Sequence, residues 1–221
     1  MVWLNCIYIV LYLLNLGLLH VLNIELGIFY ALEPKVANVL FLGQDRRYKL
    51  SVFETLTDED HESILRNGTS PNLISWVYSI GKIKFKFFDL GGHWIARRVW
   101  RDYCAKMDAV IYIVNANHST KEQFVEPRNE LNALLSDEAF ANVPFLIFGF
   151  TTSESSSCRQ EELCSFLGLT NITTGKGRVR LAGPNARPLE IFVAKLHNKR
   201  QYLDGFKWLS QYIKKYDILF L

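Results

Sequence analysis

The sequence lacks any long run of like charges, and this absence bears on what the protein binds. Its 221 residues contain 25 Lys and Arg against 22 Asp and Glu, which leaves a net charge of only +3. The nearest basic patch is Arg97, Arg98 and Arg101, with Lys106 beyond, a spacing typical of a solvated helix face. No nucleic-acid partner is therefore expected.

Cysteine is scarce and shows no metal-binding pattern. The four cysteines are Cys6, Cys104, Cys158 and Cys164. Their spacing is unlike that of a zinc site, and Cys158 and Cys164 have no nearby His. We interpret all four as reduced structural thiols, because the body of the chain is expected to face the cytosol.

Charged side chains are missing from residues 1–24, where Glu25 is the first to follow. The apolar stretch Trp3 to Leu22 has about 20 residues, enough to cross a bilayer as a helix. A secretory signal is not favoured, because Lys and Arg are absent before this stretch and no small-x-small cleavage site follows it. A weakly polar stripe suits a helix lying in the membrane surface equally well, and its members are Asn5, Tyr8, Tyr12, Asn15 and Asn23. We expect residues 1–30 to be a membrane-attaching helix, either spanning or lying in the surface.

Residues 35–217 alternate between predicted strands and helices. The predicted strands are 36–43, 82–88, 109–115, 144–150 and 189–196, most of them short apolar runs. The predicted helices are 122–135, 161–167 and 205–216. This order predicts an α/β domain with a doubly wound, mostly parallel sheet of the P-loop type. Ligands of such sheets bind beyond the carboxyl ends of the strands.

The loop after the first strand partly matches a phosphate-binding loop. Such a loop has Gly, four further residues, then Gly-Lys-Ser/Thr. Gly43 and Lys49 have the required separation, but the second Gly is Tyr48 and the hydroxyl position is Leu50, with Ser51 the next hydroxyl. A Tyr at a position that needs positive φ is strained, and its ring competes with phosphate for space.

A second candidate site is Asp89-Leu-Gly-Gly-His93, which directly follows the predicted strand 82–88. Asp89 could hold magnesium through water, the Gly92 N–H could contact a γ-phosphate, and His93 could orient an attacking water. The same residues also suit a tight turn with an exposed His, and spacing alone favours neither interpretation.

Several stretches resemble the Sar (secretion-associated, Ras-related) GTPases, which recruit the COPII coat at the endoplasmic reticulum. Residues 88–100 resemble their switch II region. Further similar blocks are 129–138, 141–147, 167–170, 173–177, 186–192 and 205–213. The resemblance spans about residues 36–215 and is strongest to plant members. It implies a Sar/Arf-like small GTPase domain, an N-terminal helix that inserts into the membrane, and a place on the cytoplasmic face of the endoplasmic reticulum or Golgi membrane.

The resemblance also assigns site residues. It implies GTP or GDP with Mg²⁺ as ligands, His93 as the catalytic residue, and Asp45 and Asp89 at the metal. The cofactor-binding residues it implies are Gly43, Asp45, Lys49, Ser51, Gly91 and Gly92. The partners it implies are COPII coat proteins and a membrane-bound exchange factor.

The departures from the family pattern fall on the nucleotide contacts. Besides Tyr48 and Leu50, the switch I Thr aligns near Ile74, and the guanine-reading Asn-Lys-x-Asp is Phe150-Thr-Thr-Ser153. The Ala of the last base-contacting loop is Lys195 or its neighbour. Losing the carboxylate that accepts the guanine protons removes about 1.5–3 kcal/mol and the discrimination between bases.

Three functions remain open from the sequence. The chain is a nucleotide-independent, membrane-bound binding module that keeps the Sar surface, or a working GTPase with an atypical site, or a decaying duplicate. The first is favoured, because several independent nucleotide contacts are altered while the predicted core strands and the switch II stretch are kept.

Overall fold

The computed structural model describes residues 12, 15, 17, 35–43, 46–57, 74–89, 106–117, 120–152, 158–177 and 187–213. The chain divides into two units, Met1–Lys35 and Val36–Leu221. In the first unit Tyr12, Asn15 and Gly17 are helical, and Tyr12 is exposed. Within the described residues no helix combines the length and apolar character needed to cross a membrane. The predicted helix of residues 1–30 lies mostly outside the described residues.

Apolar runs rich in β-branched and aromatic residues form the strands of one sheet. The strands are β1 (Lys35–Gly43), β2 (Ile74–Ile80), β3 (Ile83–Asp89), β4 (Ala109–Asn115), β5 (Phe145–Thr151) and β6 (Leu189–Lys195). Their order in the sheet is β2-β3-β1-β4-β5-β6. Strand β1 pairs parallel with β4, β4 with β5, and β5 with β6, whereas β2 and β3 form an antiparallel hairpin. The predicted doubly wound, mostly parallel sheet is confirmed.

Within the described residues, four α-helices cover the two faces of this sheet. They are α1 (Arg46–Thr57), α2 (Val125–Ser136), α3 (Gln160–Phe166) and α4 (Lys199–Ser210). Helices α1 and α4 bury Val52, Phe206 and Leu209 against one face. Helices α2 and α3 bury Leu131 and Leu163 against the other. Because apolar side chains are removed from water on both faces, the central strands read as continuous hydrophobic runs.

Helix α4 differs from its predicted bounds of 205–216. It begins at Lys199, because the Asn198 side chain accepts a hydrogen bond from the Gln201 N–H and caps the helix. It ends at Ser210, and residues 211–213 form a turn. The predicted start at residue 205 was too late, because the Asn198 cap determines where the helix begins.

The β2–β3 hairpin has alternating faces. In β3, Phe85 and Phe87 are buried and Lys84 is exposed, so only one face of this predicted strand lies in the core. Strand β2 was not predicted, and it pairs with β3 over its full length from Ile74 opposite Asp89 to Ile80 opposite Ile83.

Candidate functional site

The carboxyl ends of the parallel strands lie along one edge of the sheet, which is where the candidate site was expected. Gly43 at the end of β1 is opposite Ile113 of β4, and Asn115 at the end of β4 is opposite Phe150 of β5. The α1 helix starts three residues after β1, at Arg46. The residues that follow these strand ends therefore share one region of the surface.

Gly43 occupies a position that only glycine tolerates. Its φ is +137°, and a Cβ built there would lie 2.5 Å from the carbonyl oxygen of Ile113. Any side chain would therefore clash with the backbone of β4 as well as strain its own backbone. A glycine is therefore required at the end of β1, which is where a phosphate-binding loop has its first glycine.

Lys49 and Asp89, which the sequence predicted as separate site residues, form a buried ion pair. The Lys49 Nζ lies 2.6 Å from Asp89 Oδ1, and the two side chains are only 2% and 9% exposed. Lys49 is in the first turn of α1, and Asp89 is the last residue of β3. A lysine can be buried to this degree only when its charge is paired. The ammonium group is therefore neutralised by a carboxylate of the protein itself.

Tyr48, in the first turn of α1, contacts residues at the ends of β4 and β5. Its ring stacks on Phe150, with centroids 6.2 Å apart and planes inclined by 22°. Its hydroxyl oxygen accepts a hydrogen bond of 3.0 Å from the side-chain amide of Asn117. We call these three residues, Tyr48, Asn117 and Phe150, the Tyr48 bridge. The Sar resemblance implies that Tyr48 and Phe150 stand at positions where the family has residues for phosphate and guanine.

Asn117 is the polar centre of this region. Its Nδ2 donates to Asn115 Oδ1 as well as to Tyr48, and its Oδ1 accepts from the Thr152 N–H at 2.7 Å and the Thr152 hydroxyl at 2.9 Å. Both ends of the amide are thus hydrogen-bonded within the protein. Sequence reasoning assigned no role to Asn115, Asn117 or Thr152. The only signal was that polar residues directly follow the predicted strands at 109–115 and 144–150.

Phe150 also packs inward, against a second tyrosine. It is fully buried and makes an edge-to-face contact with Tyr202 of α4, with centroids 5.3 Å apart. The Tyr202 hydroxyl donates to the carbonyl of Leu196, which also accepts a 3.0 Å hydrogen bond from Thr55 of α1. Burial raises the pKa of Tyr202 to about 12. Helices α1 and α4 therefore both donate a hydrogen bond to the same backbone carbonyl, directly after β6.

The remaining predicted positions are spread along the same edge. Leu50 is 44% exposed, and Ser51 beside it is half-buried. Ile74, at the position of the switch I Thr, lies opposite Asp89 in the hairpin. Lys195 is exposed, and its backbone N–H donates to the Gln201 side chain. The predicted residues outside the described ones are Asp45, Gly91, Gly92 and His93.

The described cysteines were predicted to be reduced thiols without a metal. Cys158 is buried, Cys164 is half-buried, and both are free thiols. Burial, with a smaller contribution from the nearby Glu162 charge, raises the pKa of Cys158 to about 11. In the described part of the chain no three His, Cys, Asp or Glu side chains come together as a metal site.

Comparisons with known proteins define the class to which this fold belongs. Residues 27–213 match the model of the ADP-ribosylation factor family. Among solved structures, the Arl6 BBS3 small GTPase from Trypanosoma brucei, with bound GppNp, has a similar fold. Its TM-score is 0.61 and its identity 22%, over 80% of this chain and 96% of that one. The chain belongs to the ADP-ribosylation factor family and has the small-GTPase fold.

Relatives of known name narrow the assignment within that family. The small COPII coat GTPase SAR1 of Nicotiana tabacum is 41% identical over 83% of this chain and 92% of its own. SAR1 of Giardia intestinalis is 32% identical over 84% of this chain and 94% of its own. The protein is therefore a Sar-like member of the family.

The described residues fit a nucleotide unevenly. The Gly43 turn suits a phosphate-binding loop, and Lys49 and Asp89 are the residue types expected beside phosphate and magnesium. Leu50 has no oxygen for a metal, Tyr48 has a ring where glycine is needed, and Phe150 has no hydrogen-bonding group for a base. Some of the groups that would contact phosphate are thus present. The side chain that would contact guanine is missing at the position where the Sar pattern places it.

Proposed function

We propose that this protein is a membrane-bound, Sar-like binding module of COPII transport from the endoplasmic reticulum to the Golgi, and that it acts without a nucleotide cycle. The observation that supports this most is the Tyr48 bridge, which connects the two segments at which the Sar pattern places the phosphate and base contacts. The protein is then a pseudo-GTPase whose own side chains occupy the nucleotide-facing edge.

The Lys49–Asp89 pair supports the same proposal. Phosphate could recruit Lys49 only if the ammonium group gave up or shared a 2.6 Å contact in a buried place. Separating a buried pair leaves a charge without a partner, which costs several kcal/mol unless the ligand replaces it fully. With the guanine contacts gone, little binding energy is left to offset that cost.

The partners we propose are those that the Sar resemblance implies. The relatives from tobacco and Giardia are named as small COPII coat GTPases. By analogy, this chain binds COPII coat proteins and a membrane-bound exchange factor at the cytoplasmic face of the endoplasmic reticulum or Golgi membrane. Residues 1–30 attach it there, and residues 35–217 form the binding domain.

A working GTPase is the second candidate, because Gly43 has the geometry of a phosphate loop and Lys49 and Asp89 lie together. In that case Gly91, Gly92 and His93 serve hydrolysis, with Mg²⁺ held by Asp45 and Asp89 and with Ser51 taking the hydroxyl role of the absent Thr. This candidate requires the Tyr48 ring to leave Phe150 when nucleotide binds.

Coat recruitment to vesicles distinguishes the two candidates. The full chain is reconstituted on phosphatidylcholine–phosphatidylserine vesicles, and purified COPII coat proteins are floated with them in GppNp, in GDP and without nucleotide. Tobacco SAR1 is the control for a nucleotide response. We expect equal recruitment by this chain in all three conditions. Recruitment only in GppNp would support the GTPase, and no recruitment at all would overturn the binding module.

A further inference from the structure

Strands β3, β1 and β4 begin side by side at one edge of the sheet, which we call the amino edge. Strand β4 pairs parallel with β1. Strand β3, on the other side of β1, runs in the same direction, because its last residue Asp89 pairs with Lys49 just after the end of β1. In agreement, Phe87 near the end of β3 contacts Phe41 near the end of β1. The start of β1 therefore lies between the starts of its two neighbours.

Three exposed lysines lie at the amino edge. Lys82 is in the turn that leads into β3, Lys84 is the second residue of β3, and Lys106 is just before β4. Among the described residues, none of these three side chains forms an ion pair with a carboxylate. Their charges are therefore available to an anionic surface outside the protein.

The carboxylates next to the strands compensate these lysines only in part. Asp108, close to Lys106 in the chain, accepts a hydrogen bond of 2.8 Å from the Asn38 N–H. Asp137 and Glu138 precede β5, which lies three strand spacings, about 14 Å, from β3. That distance exceeds the Debye length of about 8 Å at physiological ionic strength, so both charges are mostly screened from the lysines of β3.

Two exposed carboxylates of the helices lie on the far side of the sheet from Lys84. Glu54 belongs to α1 and Asp204 to α4, and these helices pack against the sheet face that contains Phe85 and Phe87. Successive side chains of a strand point to opposite faces, so Lys84 lies on the other face. The sheet itself therefore separates Lys84 from these two carboxylates.

The N-terminal segment joins the domain in the middle of this group of lysines. Strand β1 begins at Lys35, between β3 with Lys82 and Lys84 and β4 with Lys106. The membrane-attaching segment proposed above ends at residue 30, and the four residues 31–34 can span at most about 17 Å. A membrane that holds residues 1–30 therefore lies within about that distance of the start of β1.

We propose that the amino edge contacts the surface of a membrane that contains anionic lipid, through Lys82, Lys84 and Lys106. This inference rests on the proposed attachment of residues 1–30. Residues 1–34 contain no Lys or Arg, although helices that lie in a membrane surface usually carry them. The folded domain supplies these missing cations, each of which is favourable within about a Debye length of anionic headgroups.

This contact orients the carboxyl edge away from the lipid. Strands of seven residues are about 23 Å long, so the Tyr48 bridge at the carboxyl edge lies well beyond the Debye length from the headgroups. The carboxyl edge has exposed cations of its own, Lys121, Lys195 and Arg200, which follow or end the strands there. They are matched controls, because they are equally exposed but distant from the proposed contact.

Acylation of lysines tests the contact residue by residue. The full chain is reconstituted on phosphatidylcholine vesicles and on phosphatidylcholine–phosphatidylserine vesicles, treated with a membrane-impermeant acylating reagent, and analysed by mass spectrometry. We expect Lys82, Lys84 and Lys106 to react at least about fivefold more slowly on the phosphatidylserine vesicles. Lys121 and Lys195 should react equally on both. At about 1 M salt, where the Debye length is about 3 Å, the difference should disappear.

Removal of charge at either edge distinguishes this contact from a general effect of net charge. Lys82→Gln/Lys106→Gln removes two charges at the amino edge, and Lys121→Gln/Arg200→Gln removes two at the carboxyl edge. All four side chains are exposed, so both variants should keep a native circular dichroism spectrum. On phosphatidylserine vesicles we expect Lys84 to react at least about threefold faster in the first variant than in the wild type, and at the wild-type rate in the second.

The outcomes separate this proposal from the proposed function. Equal reactivity of the three lysines on the two kinds of vesicle, which is expected if they bind an acidic protein instead, would overturn the contact with lipid. An equal change at Lys84 in both variants would overturn it as well. Flotation of the same samples measures attachment. A chain that floats while its lysines stay reactive contradicts this proposal alone, and a chain that does not float contradicts the proposed membrane attachment too.

Discussion

At the scale of single residues, the side chains of the candidate site make their contacts with other side chains of the same protein. Lys49 forms an ion pair with Asp89. Tyr48 stacks on Phe150 and accepts a hydrogen bond from Asn117, which in turn accepts one from Thr152. Each of these contacts lies at the carboxyl edge of the sheet, where a ligand of this fold would make its own contacts. A ligand must therefore displace existing contacts.

The Lys49–Asp89 pair should be costly to break from one side. We expect Lys49→Met to lower the free energy of unfolding by about 3–5 kcal/mol, because it leaves the Asp89 carboxylate buried without its cation. The double variant Lys49→Met/Asp89→Asn should cost less than Lys49→Met alone, since neither buried side chain then carries a charge. Urea denaturation of the full chain measures both. If Lys49→Met were as stable as the wild type, the pair would have no structural role.

Reversal of the altered contacts should restore nucleotide affinity. The triple variant Tyr48→Gly/Leu50→Thr/Phe150→Asn removes the ring, adds a metal-binding hydroxyl and supplies an amide at the base-reading position. We expect it to bind a fluorescent GTP analogue with Mg²⁺ at least about tenfold more tightly than the wild type. Tyr48→Phe is the control, because it keeps the stacked ring and loses only the bond from Asn117, and it should gain nothing. Since Phe150 is buried, near-native circular dichroism of the triple variant is checked first.

At the scale of elements, aromatic packing joins the helices to the sheet. Phe150 lies between Tyr48 of α1 and Tyr202 of α4, and Phe148 on the same strand contacts Phe206 of α4. Helix α4 approaches β5 closely at Gly205, where a Cβ would lie 2.5 Å from the Phe148 ring. The position of α4 thus depends on a glycine inside a helix.

Gly205→Ala should destabilise the protein although alanine is the better helix former. The added methyl meets the ring of Phe148 in a closely packed core, and overpacking costs about 1–3 kcal/mol. The gain in helix propensity is about 1 kcal/mol at most. Lys207→Ala on the exposed side of α4 is the control and should be nearly neutral. Thermal unfolding of the two variants measures the difference, and a stabilised Gly205→Ala would contradict the close packing.

Apolar periodicity was sufficient to predict most elements, because burial on both faces of a parallel sheet leaves continuous hydrophobic runs. It located β1, β3, β4, β5 and β6 and the approximate positions of α2, α3 and α4, whereas α1 was not among the predicted helices. It missed β2, whose central residues mix Ser with aromatics. It also misplaced the start of α4, which depends on the Asn198 cap. Neither the Lys49–Asp89 pair nor the contact of Tyr48 with Phe150 could be predicted, because they join residues far apart in the chain.

At the scale of the whole molecule, buried titratable groups make stability depend on pH in alkaline solution. Burial raises the pKa of Cys158 to about 11 and the pKa of Tyr202 to about 12. Above their ordinary values of 9.0 and 10.0, the unfolded chain loses these protons while the folded chain still holds them. Stability should therefore be full below pH 9 and fall between about pH 9 and 12.

Single substitutions separate the two groups. In Tyr202→Phe the free energy of unfolding should fall less steeply than in the wild type between about pH 10 and 12. In Cys158→Ala it should fall less steeply between about pH 9 and 11. The free energy of unfolding in urea is measured from pH 7 to 11 for the wild type and both variants. A wild-type curve parallel to that of Tyr202→Phe over the whole range would show that the tyrosine is not held neutral.

The whole molecule keeps the sheet, the covering helices and the Sar-like sequence blocks, while the nucleotide-facing residues contact one another. Such a chain retains a shape that partners could recognise, and under the proposed function it binds no nucleotide that would change this shape. Because a ligand can shift a conformational equilibrium only if it binds, the proposed module has a single functional state with respect to GTP.

The nucleotide content of the purified full chain tests this account most directly. The protein is prepared in mild detergent with Mg²⁺ throughout, denatured, and the released nucleotide is separated by ion-exchange chromatography, with tobacco SAR1 treated in parallel. The account predicts far less than one guanine nucleotide per chain, together with a folded circular dichroism spectrum. One GDP or GTP per chain would contradict it, because the Tyr48 bridge would then have to open for the ligand.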